Sequence, residues 1–185
     1  AAFSPDGKTI VTASWDNTAR LFDAATGTAR AVLKGHTRRV IHAAFSPDGK
    51  TIVTASYDGT ARLYDAATGK ARAVLEGHTG GVNHAAFSPD GETIVTASGD
   101  VIKPDNKARL FDVRTGEVRA VLKGHTSYVT HAVFSPDGKT VLTVGEPTAR
   151  LWEVPDLSRA GLIKRTGKLT NYRVCKDSLE VVAVL

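Results

Sequence analysis

The string Phe-Ser-Pro-Asp-Gly begins four times in this chain, at Phe3, Phe45, Phe87 and Phe134, with spacings of 42, 42 and 47 residues. A second string, Gly-His-Thr, begins at Gly35, Gly77 and Gly124, with spacings of 42 and 47. Residues 1–42 and 43–84 differ at only eight positions. Repetition of this kind constrains a fold tightly. Every unit must form the same supersecondary structure and bury its apolar faces on its neighbours. The five extra residues of the third unit fall within 101–107, where Val-Ile-Lys-Pro-Asp-Asn-Lys stands in place of Gly-Thr.

Within one unit the signals are those of short strands. Residues 38–46 run into Ser46-Pro47-Asp48-Gly49, a strong turn sequence. Thr51–Ser56 (TIVTAS) is rich in β-branched residues, Asp58-Gly59 turns the chain, and Ala61–Asp65 (ARLYD) follows. Ala66–Gly69 turns again, and Ala71–Leu75 (ARAVL) ends at Gly77-His78. Gly or Pro interrupts each stretch longer than about ten residues, which excludes helices. The fold class is all-β. Four short antiparallel strands per unit, at this period, predict the blades of a β-propeller.

The chain resembles the WD-repeat (WD40) family. Gly-His is followed by a strand ending in FSPDG, then an Asp-containing turn, then an aromatic-acid pair: Phe22-Asp23, Tyr64-Asp65, Phe111-Asp112 and Trp152-Glu153. The likeness spans residues 1–163 and is similar to the near-identical repeats of bacterial multidomain WD-repeat proteins. It implies four four-stranded blades, at about 1–36, 37–78, 79–125 and 126–163, making a partial or half propeller. It also implies a hydrogen-bond relay that pins each loop to its blade, through His36, Thr54 and Asp58, then His78, Thr96 and Asp100, then His125 and Thr143. The relay's usual indole end is missing from the first three units, which carry Phe22, Tyr64 and Phe111. The last unit has Trp152, but Gly145-Glu146-Pro147 replaces its Asp turn. Similar residue types form catalytic triads elsewhere. A catalytic set need not recur in every unit, whereas a fastener must, so the structural role is expected. His42, His84 and His131 recur mid-strand and are expected to be hydrogen-bonded inter-blade residues rather than metal ligands, since neither carboxylate nor cysteine shares their strands.

No phosphate loop, HExxH, paired cysteines or nucleophile elbow occurs. The expectation is a non-enzymatic chain with no cofactor and no metal. The sequence is 42% hydrophobic and 23% charged, which excludes wholesale disorder. Cys175 is the sole cysteine, so no intramolecular disulfide can form, in keeping with a reducing, cytoplasmic setting. No run approaches 18 apolar residues, so no membrane span is expected. The net charge is +5, but residues 164–185 hold five basic side chains against two acidic ones, and the body is nearly balanced. A broad basic face of the kind nucleic acid requires is therefore not expected.

The working face is expected where the units differ. Trp15/Tyr57 and Asn17/Gly59 lie in the Asp turn, and Arg38/Gly80 and Arg39/Gly81 in the Gly-His-Thr loop, with Ile41/Asn83 just below. Strands alternate in direction, so these turns share one end of the blades. The third unit adds its insertion and Tyr128 at the same end. Trp15, Arg38, Arg39, Ile41, Tyr57, Asn83, Lys103 and Tyr128 are the candidate partner-binding residues, several of them types favoured at protein interfaces. The competing reading is nucleic-acid binding through Arg38, Arg39, Lys103, Lys107 and the basic tail. Propellers of this family usually close with about seven or eight blades. Four blades imply either further blades upstream or two chains closing a ring. Both ends read as cuts through something longer, and residues 164–185, basic and then apolar, depart from the repeat.

Overall fold

The computed structural model describes residues 1–100, 102 and 104–154. Among them are fifteen strands and no helix. The first sheet comprises β1 (Ala2–Phe3), β2 (Thr9–Ala13), β3 (Ala19–Asp23) and β4 (Ala29–Leu33). The second comprises β5 (Val40–Phe45), β6 (Thr51–Ser56), β7 (Ala61–Asp65) and β8 (Ala71–Leu75). The third comprises β9 (Val82–Phe87), β10 (Thr93–Ser98), β11 (Lys107–Asp112) and β12 (Val118–Lys123). The fourth comprises β13 (Val129–Phe134), β14 (Thr140–Gly145) and β15 (Thr148–Glu153). Each is an antiparallel meander in chain order. The fourth sheet shows three strands among the described residues. The segment expected to supply its outer strand lies outside them, as do Lys103, Cys175 and the tail at 164–185.

Local chemistry explains each corner. In the Ser-Pro-Asp-Gly turns a serine hydroxyl donates to the aspartate two residues on, Ser46 to Asp48 at 2.6 Å, and accepts from the backbone that opens the next strand, Thr51 N–H at 2.9 Å. The same pattern holds at Ser4, Ser88 and Ser135. The acidic residue after each strand-three aromatic caps the following turn: Asp23 and Asp112 accept from two successive backbone N–H groups, and Asp65 from Thr68. These Asx caps satisfy backbone donors that the tight turns would otherwise leave unpaired.

There is no single core. Three apolar clusters lie between successive sheets. The first joins Val11, Ala19, Leu21 and Leu33 to Val40, Ala43, Ile52 and Tyr64. The second joins Val53, Ala55, Ala61, Leu63 and Leu75 to Val82, Ala85, Ile94 and Phe111. The third joins Val95, Ala97, Ala108, Leu110, Ala120 and Leu122 to Val129, Ala132, Val141 and Trp152. One aromatic per interface plugs the junction, which is why that position is Tyr64, Phe111 or Trp152. Strands β6 and β10 are buried along their whole length because their sheets are covered on both faces. Strand β14 alternates, buried on one face only. The inner strands β1, β5, β9 and β13 pack beside one another in succession, and β2 also packs on β5.

Candidate functional site

The relay forms at three junctions. His36 is buried, its Nδ1 lies 2.8 Å from Asp58, and its Nε2 lies 2.7 Å from the Thr54 hydroxyl. Nδ1–H thus donates to the carboxylate and Nε2 accepts from the hydroxyl. Burial works to raise the Asp58 pKa, but hydrogen bonds from His36, Thr60 and the Thr37 backbone N–H outweigh it and hold the carboxyl well below its usual range. Tyr64 does not complete this relay. Its hydroxyl donates to the Lys34 carbonyl at 3.2 Å.

At the next junction one expectation is corrected. His78 Nε2 meets Thr96 at 2.6 Å as expected, but Nδ1 donates to Asp105, not Asp100. Asp105 is buried and also receives Arg109 and Lys107. Asp100 instead accepts from the backbone N–H groups of Gly81 and Ile102. The reason lies in the turn that follows. Asn17 and Asn106 have φ of 69° and 52°, and Gly59 has 87°, so these three occupy the same left-handed position. The residue before that position is the relay aspartate: Asp58 in the second sheet and Asp105 in the third. The insertion therefore precedes the turn, and Asp105-Asn106 repeats Asp16-Asn17 of the first unit. Counting back from the shared Ala-Arg-Leu-Phe-Asp strand would have found it.

The third junction keeps the other end of the relay. Trp152 Nε1–H donates to Thr143 at 2.7 Å, and His125 Nε2 lies 2.7 Å from the same hydroxyl. Among the described residues no carboxylate replaces the missing aspartate. Thr148 lies 3.3 Å from His125 Nδ1.

The Gly-His-Thr end of the sheets carries a depression of about 360 Å³ lined by Ile41, Tyr57, Asn83, Gly99, Asp100, Tyr128 and Thr130. Ile41, Asn83 and Thr130 occupy equivalent positions on the three inner strands, so three units contribute one wall residue each. Four expected partner-binding residues thus meet in one groove: Ile41, Tyr57, Asn83 and Tyr128. The sequence differences that seemed independent are coupled by contact. A Cβ on Gly81 would sit 2.9 Å from the Tyr57 ring, and one on Gly99 would sit 2.9 Å from Tyr128 Cα. Gly81 thus makes room for the Tyr57 ring, and Gly99, at φ 133°, for the backbone at Tyr128. Asn83 Nδ2 donates to the Gly99 and Val129 carbonyls at 2.7 and 2.9 Å, joining the third and fourth sheets at the groove floor.

Beside the groove, Trp15 is 72% exposed and the Arg39 guanidinium carbon lies 4.2 Å from its ring centroid. Arg38 and Arg39 are exposed and make no ion pair with described residues. Lys107 is engaged by Asp105 at 3.1 Å, which removes one member of the basic set proposed for nucleic acid. Lys103 lies outside the described residues. Thr130, Gly99 and Asp100 line the groove without having been among the candidate partner-binding residues, although the sequence placed them at this end; Thr130 also shares its register with Ile41 and Asn83.

Two larger crevices, of about 790 and 640 Å³, open at the opposite end between neighbouring sheets. Their walls are turns of nearly identical sequence. Their arginines are held in place: Arg30 on Thr9, Arg72 on Thr51, and Arg119 on Thr93 and Asp112. Among the described residues no group of three or more His, Cys, Asp or Glu is placed to hold a metal, and no helix is long and apolar enough to cross a membrane.

The family described as WD domain, G-beta repeat matches the chain four times, at residues 1–23, 27–65, 69–112 and 116–153. A comparison with curated proteins finds no match.

Proposed function

The chain belongs to the WD-repeat family, whose members are generally non-catalytic protein-interaction scaffolds, and from that premise we propose that it docks a protein partner on its Gly-His-Thr end. One observation carries the reading. Two units identical at all but eight positions place five of their differences at this end, where three of the residues concerned, Ile41, Tyr57 and Asn83, line one groove and Trp15 and Arg39 flank it. Trp15, Tyr57 and Tyr128 supply rigid apolar area, the composition of interface hot spots. Arg38 and Arg39 leave positive charge unpaired beside it, which favours a partner segment bearing carboxylates. The module so read serves as a recognition or regulatory part of a larger protein. Nucleic-acid binding is disfavoured, since Lys107 is tied to Asp105 and the body is close to charge balance.

The test uses displayed random dodecapeptides selected on the wild-type chain. Selected peptides should bind the Trp15→Ala, Arg39→Ala, Tyr57→Ala, Tyr128→Ala variant at least about tenfold more weakly, as loss of hot-spot residues demands. They should bind a Pro47→Ala, Pro89→Ala control as the wild type. Equal binding to the quadruple variant, or loss only in the control, removes this face as the docking site.

A further inference from the structure

The three mid-strand histidines form a continuous stack. His42 and His84 have ring centroids 4.0 Å apart at 35°, and His84 and His131 are 5.2 Å apart at 43°. They belong to β5, β9 and β13, so the stack crosses the second, third and fourth sheets at their inner edges. Each ring fits because of what shares its row. His42 lies opposite Ala55, which pairs with Ala61, and His84 lies opposite Ala97, which pairs with Ala108. Small neighbours leave each imidazole free to reach the next. The Nδ1 atoms of His42 and His84 are buried with no hydrogen-bond partner. Each of these two rings does hydrogen-bond to the backbone of the next unit, His42 at Ala85 and His84 at Ala132, in line with the expectation of hydrogen-bonded inter-blade histidines.

The electrostatic surroundings are one-sided. Strand β5 packs on β1, β2, β6 and β9; β9 packs on β5, β6, β10 and β13; β13 packs on β9, β10, β11 and β14. The ionisable side chains on all these strands are the three histidines themselves and Lys107, Arg109 and Asp112 of β11. Asp112 is held by Arg119 and by its own turn, and the two cations are held by Asp105. No carboxylate faces the stack from these strands to receive an imidazolium.

We propose that the His42–His84–His131 stack is an acid-sensitive seam: no carboxylate on the strands around it can meet an imidazolium at His42 or His84, so acid favours the opened chain, in which these rings can protonate, and loosens the inner edges of the second, third and fourth sheets. Ile41, Asn83 and Thr130 immediately precede the three histidines, so the seam lies directly beneath the groove. Burial, then the charge of His84, pushes the His42 pKa down to about 3, and burial, then His131, pushes that of His84 down to about 4. Both rings are therefore neutral in the folded chain where unfolded histidine, near about 6.5, begins to protonate. A depressed histidine pKa means stability is whole above about pH 6.5 and falls as pH drops below it.

The experiment is urea unfolding of the full chain at pH 7.5 and pH 5.0, for wild type and for the triple variant His42→Gln, His84→Gln, His131→Gln. The relay histidines are the same in both proteins, so the difference isolates the seam. The folded-to-unfolded ratio of the wild type should fall by about thirtyfold for each of His42 and His84 beyond any fall in the variant. Ring-carbon NMR titration of the wild type gives an independent readout: His42 and His84 should remain neutral at pH 5. An identical pH response in both proteins, or His42 and His84 titrating near about 6.5, overturns the seam. Should the triple variant not fold, the ring titration decides alone.

Discussion

The third and fourth sheets fasten their loops with opposite halves of one relay. Both place a histidine Nε2 against a threonine hydroxyl, His78 on Thr96 and His125 on Thr143. The third continues on the acidic side, through Asp105 to Arg109, and ends without an indole because Phe111 has no donor. The fourth continues on the indole side, through Trp152, and has no carboxylate among the described residues. The histidine–threonine contact is thus the shared element, and either extension suffices to orient it. The two extensions differ in kind. One is a buried ionic cluster that is strongly destabilising to break, and the other is a neutral hydrogen bond of ordinary size.

This difference sets a ranking of expected effects. Replacing Asp105 by Ala strands the Arg109 guanidinium and the His78 ring together, and should cost about 3–5 kcal/mol in chemical denaturation. Asp100→Ala, which removes bonds to two loop N–H groups, should cost about 1 kcal/mol. Equal costs would show that the insertion places the wrong aspartate in the relay. Trp152→Phe keeps most of the aromatic plug and removes only the indole donor, so about 1 kcal/mol is expected. A loss near that of Asp105→Ala would erase the distinction between the two halves.

Acid should separate the two sheets. Burial works to raise the Asp105 pKa, but the hydrogen bonds it accepts from His78 and Arg109 prevail and hold the carboxyl well below the usual carboxylate range. A depressed carboxyl pKa contributes stability that is present above about pH 4 and is lost as pH falls below it. Amide exchange should therefore rise first in the third sheet as pH drops below about 4, a window separate from that of the histidine seam. Exchange rising first around Thr143 would contradict the assignment. The smallest effect belongs to Trp15, whose exposed ring should tolerate alanine within about 0.5 kcal/mol of stability. A larger loss would make Trp15 a packing residue and remove it from the docking face.

Much of this fold was legible because repetition converts weak local signals into strong ones. The strands expected at 51–56, 61–65 and 71–75 stand at those residues, and each Ser-Pro-Asp-Gly turn forms where its serine and aspartate can cap it. The aromatic-acid pairs were visible, but not their division of labour: Tyr64, Phe111 and Trp152 plug the inter-sheet cores while their acidic neighbours cap turns. Asp105 was missed because an insertion breaks the forward count from Thr96, although the Asp-Asn pair shared with Asp16-Asn17 marked the turn. The contacts of Tyr57 with Gly81, and of Tyr128 with Gly99, were invisible, because nothing in a linear comparison says which loops touch.

What the sequence determined by itself is everything that depends on near neighbours in the chain: the number of described units, their strands, their turn chemistry and the end of the blades on which they diverge. What only the tertiary structure decided is what depends on atoms from different sheets meeting. The groove shared by three inner strands and the stack of His42, His84 and His131 belong to that class. Hydrogen bonds, ring stacking and desolvation act over a few ångströms, and only packing sheet on sheet brings residues 42 or 47 positions apart within that reach.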